Sequence, residues 1–434
     1  MQDRLARIRA AAASHEAGSV DFLRGLIRAG RSGEDAVQRC FAAAVRALGA
    51  TVETISYDPA EVPMVAEFAG AAAINRGRRE NVVARLPGSG KGRSLILFAH
   101  PDGEPVAGTE AWRHDPFQGI VCKGRVHGWG VADDLAGLAA MVEGLRVLLS
   151  SGLRPAGDII LASTPSKRHA RGVSALLHGG LTADAAVYLH PAESGEGMRE
   201  VKAFAAGQLE FRVVVTGRPP MTGEPHQTGF AHLGVNPLAK MLVIAAALEA
   251  LDTRRAKRVH HPALDARVGR STNLMLSYID AGTAQALSRM ADDCTLGAAL
   301  SFPPGESLEG LRVEVETSVA EACASDEWLA HHPARIIWDA GVTGAEVSPD
   351  HPLYTCVAQA VLNVTGQSPT INVMHTSSDI RNPMVQKGIP TVGLGPLCGD
   401  LTQTGGADEW VDCADYLRSV TVVGEVMALW CEAV

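Results

Sequence analysis

The residues of this sequence best suited to chemistry sit in one stretch, Leu95 to Leu138. His100-Pro101-Asp102 places an imidazole and a carboxylate directly after a short apolar run, Leu95 to Ala99. Such a run suits a buried strand of a parallel sheet, and in open α/β sheets ligands collect at the carboxyl ends of strands. Further on, Gly128-Trp129-Gly130 leads into Asp133-Asp134 and then into apolar residues at helical spacing, Leu138, Met141, Val142 and Leu145. A carboxylate at that loop-to-helix junction can turn back toward His100. Imidazole and carboxylate from two such edges are ligands for a divalent cation, and a second carboxylate beside the imidazole fixes its tautomer. The plainer reading of His100 and Asp102 alone is a structural hydrogen-bonded pair.

The elements that must position these groups follow from periodicity. Residues 3–30 and 32–49 read as helices, and Val37, Cys40, Phe41, Ala44, Val45 and Leu48 keep one face of the second apolar. Thr51 to Ser56, Asn81 to Leu86, Asp158 to Ser163 and Ala185 to Leu189 read as strands, with a helix from Gly172 to Gly179. Alternating strands and helices argue for an α/β layered domain with a mixed, largely parallel sheet. The segment PGSGKGRS invites a phosphate-loop reading, but Arg85 stands where that pattern needs glycine, so a hairpin loop is expected. At Gly207 the texture changes: Leu209, Phe211, Val213 and Val215 alternate as in a half-exposed strand. A helix from Asn236 to Leu251, strands near Asn273 to Ile279 and Cys294 to Phe302, and a helix over Arg312 to Val319 suggest an inserted α+β sandwich. The expected division is 1–207, 208–324 and 325–434, with a helix at Val357 to Val364, a strand at Ile389 to Leu394 and a closing helix at Tyr416 to Trp430.

Composition bounds the function. The 434 residues suffice for two domains and a large core. The net charge of −9, from 39 Lys+Arg against 48 Asp+Glu, argues against nucleic-acid and membrane partners. No apolar run approaches a membrane span, and the N-terminus lacks the apolar core of a signal peptide. Eight cysteines without C-x-x-C spacing read as reduced, mostly buried thiols, so a cytoplasmic protein is expected.

His-x-Asp after an apolar strand, then Trp112-x-x-Asp115-Pro116-Phe117-x-Gly119, then Gly-x-Gly-x-x-Asp-Asp, resembles the core signature of the M20 family of metallopeptidases and amidohydrolases. The resemblance implies a catalytic domain carrying an inserted lid and dimerisation domain, hence a homodimer or higher homo-oligomer. It also implies a binuclear site, of which this sequence keeps part. One cation's ligands fall on His100, Asp133 and, in VYLHPAES, His190. A two-His, one-carboxylate set suits a single Zn²⁺, Mn²⁺ or Fe²⁺. The other cation's Glu falls on Ser166-Lys167, and its late His falls near Gly405, Gly406 and Ala407. Both are missing, so one divalent transition metal per chain is expected, with the Lys167 ammonium in the vacated charge position. Lys167 as a solvated surface lysine is the bland alternative.

The family's general base falls on Ser166. Glu193 and His169 are candidates to move the proton instead, Glu193 ranking slightly higher, with Asp102 beside His100 as the other catalytic carboxylate. The lid His aligns with Met221, where His226 and His232 lie close behind; the lid Arg expected near Ser301 is absent. Ser377-Ser378-Asp379-Ile380-Arg381 resembles the family's Ser-Asp-x-Arg loop, making Arg381 the candidate for bidentate carboxylate recognition. Asn273 matches a family residue that reaches a neighbouring subunit's site. Trp112 and Trp129 flank the ligand loops, where core packing competes with substrate stacking. The expected function is metal-dependent hydrolysis of a C–N bond in a small carboxylate-bearing substrate. The alternatives are hydrolytic deamination of an aromatic amine, as in 5-nitroanthranilate aminohydrolase, and a catalytically inactive binding relative.

Overall fold

The structure is a computed structural model; it describes residues 2–70, 73–74, 77–375, 378–398 and 406–434. Two sheets organise the chain. The larger has six strands in the order Thr51–Tyr57, Arg79–Leu86, Ile159–Ser163, Leu95–Ala99, Ala185–Leu189 and Thr391–Leu394. The last four run parallel to one another, and the two antiparallel pairings involve Arg79–Leu86. Leu95–Ala99 is fully buried because both its faces are covered. Leu95, Leu97 and Ala99 join the core built with the helices Gln2–Gly30, Ala136–Ser150 and Cys413–Trp430. Ile96 and Phe98 point the other way, toward Val173, Leu176 and Leu177 of Gly172–His178 and toward Ile380. This period-two division explains the continuous apolar run.

The chain leaves Leu95–Ala99 to pair Ile159–Ser163 on one side, then returns to pair Ala185–Leu189 on the other. Leu95–Ala99 is therefore the switch point of the sheet, where a crevice opens at the strand ends. His100, Ser166-Lys167 and His190 leave three neighbouring strands there. The PGSGKGRS segment is not a hairpin, because Arg79–Leu86 and Leu95–Ala99 are separated by Ile159–Ser163. It crosses the end of that strand instead: Gly88 N–H donates to Asp158 Oδ1 at 2.8 Å and Gly90 N–H to Ala156 O at 3.0 Å.

The second sheet runs Asn273–Asp280, Asp293–Phe302, Gly207–Thr216, Arg335–Val342 and Glu67–Ala69, all antiparallel. Leu209, Phe211, Val213 and Val215 face a core with Met241, Ile244 and Leu248 of Pro237–Arg258 and Leu311, Val315 and Val319 of Leu308–Ala324. Asn236 and Ser307 cap these helices, each side-chain oxygen accepting a backbone N–H. Arg335–Val342, expected in the third segment, pairs with Gly207–Thr216, so this sheet extends past residue 324. Trp338 draws it there, packing on Phe211 with ring centroids 5.4 Å apart. Glu67–Ala69 also crosses over from the first segment, so the two sheets are stitched together rather than joined by a simple hinge. All eight cysteines are free, but only Cys294, Cys323, Cys398 and Cys431 are buried. Among the described residues, no helix is long and apolar enough to cross a membrane.

Candidate metal centre

His100 is fixed by its neighbours. Its Nδ1 lies 2.9 Å from the backbone carbonyl of Asp102, an atom that can only accept, so Nδ1 carries a proton and Nε2 is the nitrogen turned toward Asp133. Nε2 meets Asp133 Oδ1 at 2.7 Å. Gly137, the second residue of the helix Ala136–Ser150, has no Cβ; one would collide with Leu189 O and the Asp134 carboxylate, so the glycine leaves room for Asp134 against the strand end. The Asp133–Asp134 peptide is cis. Asp134 accepts the His100 N–H at 3.3 Å, and Glu409 accepts N–H bonds from Gly130 and Ala132, tying down the loop that carries both aspartates.

Two imidazoles face Asp133 Oδ1, although His100, Asp133 and His190 are not among the described groups whose ligand atoms all lie within 4.8 Å of one another. His190 Nε2 lies 3.6 Å from the same Asp133 Oδ1 that His100 meets. On the other oxygen, Oδ2, sits the Lys167 ammonium. Burial alone would raise the Asp133 carboxyl, but His100 and Lys167 override it and hold it well below the usual range. Burial would likewise lower His100 and Lys167, yet the Asp133 charge raises both. His190, buried with less compensation, is pushed down to about 4. A neutral imidazole, an imidazole with Nδ1 protonated and a carboxylate around one oxygen match the chemistry of a His₂-carboxylate cation seat. Lys167 is not a free surface lysine; its side chain is 17% exposed.

Asp102 anchors the loops rather than facing the centre. It accepts N–H bonds from Ser166 and Lys167, both at 2.9 Å, and from Arg79 at 3.0 Å. Burial opposes its ionisation, but His100, Ser166 and Arg79 hold its carboxyl below the ordinary value. Arg79 is shared with Glu34, which burial and the nearby Asp102 charge push up to about 7.

Glu193 corrects the sequence expectation of a proton-moving base. It faces the far side of His190, with Oε1 3.3 Å from His190 Nδ1 and 3.2 Å from His375 Nδ1. These imidazoles and Lys202 overcome its burial and keep its carboxyl far below the usual range, which makes it a poor proton acceptor. Among the described residues, His190, Glu193 and His375 are the one group of three or more such side chains whose ligand atoms all lie within 4.8 Å of one another. His375 was missed by sequence reasoning. Its position three residues before Ser378, at the start of the Ser-Asp-x-Arg loop, was the available signal.

A cavity of about 400 Å³ opens beside Lys167, walled by Ser166, Arg171, Gln208, Glu210, Asp379 and Arg381. Ser166 Oγ donates to Asp379 Oδ2 at 2.6 Å, and burial raises the Asp379 carboxyl. Arg381 lines the cavity, but its donors are committed: Nε to Thr343 O, one terminal nitrogen to Glu67 at 2.8 Å, the other to the Val65 and Ala66 carbonyls. Arg171 grips the other oxygen of Glu67 at 2.7 Å. The expected free fork for a substrate carboxylate is thus an inter-sheet tie. His226 is exposed and bonded to Ser288 at 2.9 Å, and His232 and Asn273 are exposed on the inserted unit; none of the three lines the cavity. His169 does line it and is exposed. Trp112 and Trp129 pack on each other, ring centroids 5.8 Å apart. Ser377 and Gly405, named from sequence, lie outside the described residues.

Known proteins share this chain's sequence pattern and fold. The N-formyl-4-amino-5-aminomethyl-2-methylpyrimidine deformylase of Halalkalibacterium halodurans is 26% identical over 366 residues, 81% of this chain and 83% of its own. A succinyl-diaminopimelate desuccinylase of Methylobacterium radiotolerans is 27% identical over 358 residues, 80% of this chain and 83% of its own. Among solved structures, a di-peptidase of Saccharomyces cerevisiae superposes with a TM-score of 0.69 at 13% identity, covering 100% of this chain and 99% of the other. A dinuclear metal binding peptidase of the M20 family from Bacillus subtilis gives 0.61 at 12% identity, covering 97% and 100%; both show the shared fold. Residues 96–428 match the model of Peptidase family M20/M25/M40, and the chain belongs to that family.

Proposed function

We propose that this M20 hydrolase cleaves an amide-type C–N bond in a small carboxylate-bearing substrate, using one divalent cation held by His100, Asp133 and His190. The observation that carries the reading is the division of Asp133: Oδ1 faces two imidazoles while Oδ2 is taken by the Lys167 ammonium. A carboxylate so divided has one side for a cation and a fixed positive charge on the other. The deformylase and desuccinylase relatives support an N-acyl substrate in preference to an ordinary dipeptide.

When bound, the cation supplies Lewis acidity, polarising a carbonyl and acidifying water. The chain's own groups do the rest. The Asp102 carbonyl holds His100 in the ligating tautomer, while the Asp102 carboxylate fixes the backbone of Ser166 and Lys167 against that imidazole. Lys167 keeps Asp133 ionised and adds a cationic wall to the cavity. Ser166 stands at the position implied for the family base, and its hydroxyl donates to Asp379; with its carboxyl raised by burial, Asp379 is better matched to accept a proton than Glu193.

The test is turnover of N-formyl and N-succinyl amines, dipeptides and electron-poor aryl amines by protein loaded with Mn²⁺ or Zn²⁺. Release of free amine from the acyl substrates, lost in Asp133→Asn, is the expected result. Ammonia release from the aryl amine alone favours deamination instead. A cation-loaded protein that turns over none of them is a binding relative, and the reading fails.

A further inference from the structure

We propose that His190, Glu193 and His375 form a second seat for a divalent cation, exclusive with the first because both use the His190 ring. The proposal takes from the preceding reading only that His190 is a ligand. The two seats lie on opposite nitrogens: Nε2 toward Asp133 and Nδ1 toward Glu193. A neutral imidazole binds a cation through one nitrogen and keeps its proton on the other, so occupying one seat closes the other.

Geometry favours a cation over a hydrogen-bonded triad. Glu193 Oε1 stands 3.3 Å from His190 Nδ1 and 3.2 Å from His375 Nδ1. Donors about 2.1 Å from a common ion lie roughly 3.0 to 3.4 Å apart, the edge of an octahedron or a tetrahedron. Yet among the described residues neither His190 Nδ1 nor Glu193 Oε1 has a hydrogen-bond partner, although both atoms are buried; the hydrogen bond recorded within the group is a long one, 3.4 Å between His375 Nδ1 and the other carboxylate oxygen, Glu193 Oε2. Close approach without alignment is what lone pairs directed at a shared point produce. His190 and His375 are 6% and 4% exposed, so water cannot easily replace the missing bonds.

Lys202 argues in the other direction. Its fully buried ammonium is 3.9 Å from Glu193 Oε1 and would repel a cation. However, its close partners are Glu200 at 2.8 Å and the Pro191 carbonyl, so its charge is already balanced.

The experiment is equilibrium dialysis and optical titration with Co²⁺ of the wild type, His100→Ala, His375→Ala and the double variant, with circular dichroism on each. Wild type binds one equivalent. His100→Ala still binds one, tenfold to a hundredfold more weakly, and the double variant binds none. His100→Ala/His375→Cys is expected to show a thiolate-to-cobalt charge-transfer band, which a merely structural residue 375 cannot give. Complete loss of binding in a folded His100→Ala overturns this proposal and leaves the first seat standing. Equal binding by His100→Ala and the double variant also overturns it. A His100→Ala affinity equal to wild type, abolished by His375→Ala alone, shows instead that the first seat is the wrong one.

Discussion

Lys167→Met tests whether an ammonium does the electrostatic work of an absent cation. In the cation-free protein the substitution strips Asp133 Oδ2 of its partner while Oδ1 keeps His100. Removing one member of a buried pair costs about 3–5 kcal/mol. Lys167 is 17% and Asp133 6% exposed, so residual hydration brings the expected loss to roughly 2–3 kcal/mol. For a chain of 434 residues, with about 2.1 cal/mol/K of unfolding entropy per residue, that lowers Tm by roughly 2–3 °C. Cation binding should move the opposite way. Two unit charges 4 Å apart interact by about 4 kcal/mol at an effective dielectric of 20. Relief of even a third of that tightens binding about tenfold. Scanning calorimetry of the apo and Mn²⁺-loaded proteins, with titration calorimetry for Kd, reads both effects. Binding should therefore narrow the stability gap between variant and wild type. The backbone N–H of residue 167 still bonds Asp102, so the loop is retained and the charge alone is tested. An apo Tm equal to wild type, together with unchanged or weaker cation binding, refutes the reasoning.

Three further outcomes follow from the same contacts. Glu34 is raised from 4.5 to about 7 by burial and Asp102, so between those values the folded chain holds a proton that the unfolded chain releases. Stability therefore falls as pH rises through that window, by about 1–2 kcal/mol after allowing for partial exposure. Glu34→Gln should flatten that slope in denaturant melts at pH 5 and pH 8; an unchanged slope assigns the effect elsewhere. Asp102→Asn removes the charge beside Arg79 and turns an amide donor toward backbone N–H groups, costing roughly 2–4 kcal/mol. It should also weaken cation binding by about tenfold or more through loss of His100 support; wild-type Kd would count against Asp102 as the anchor. Arg381→Ala is expected to lower Tm by several degrees with little change in KM relative to kcat. A large rise in KM at unchanged Tm restores Arg381 as the substrate clamp.

The parts of the site legible in the sequence are those set by local pattern. His100 and Asp133 announce themselves because each lies at the end of a recognisable element, and a sheet edge brings such ends together regardless of the residues between. The unbroken apolar run at Leu95–Ala99 and the alternation at Gly207–Thr216 likewise report burial on two faces and on one. Arg381 shows where local pattern fails. Its Ser-Asp-x-Arg setting suggests a binding arginine, but its partners Glu67, Val65, Ala66 and Thr343 come from distant parts of the chain. Only the crossing of Glu67–Ala69 into the second sheet brings them within reach, and that crossing depends on Arg335–Val342, whose half-buried pattern suits either unit. His375 and Glu193 are 182 residues apart, with no shared periodicity to link them. A carboxylate three residues after a histidine says nothing about which ring nitrogen it faces. Here it faces Nδ1, so the side of His190 turned away from Asp133 holds a group of donors that no motif announces. A family signature aligns one function per position; an imidazole has two nitrogens, and only coordinates show that both are provided for.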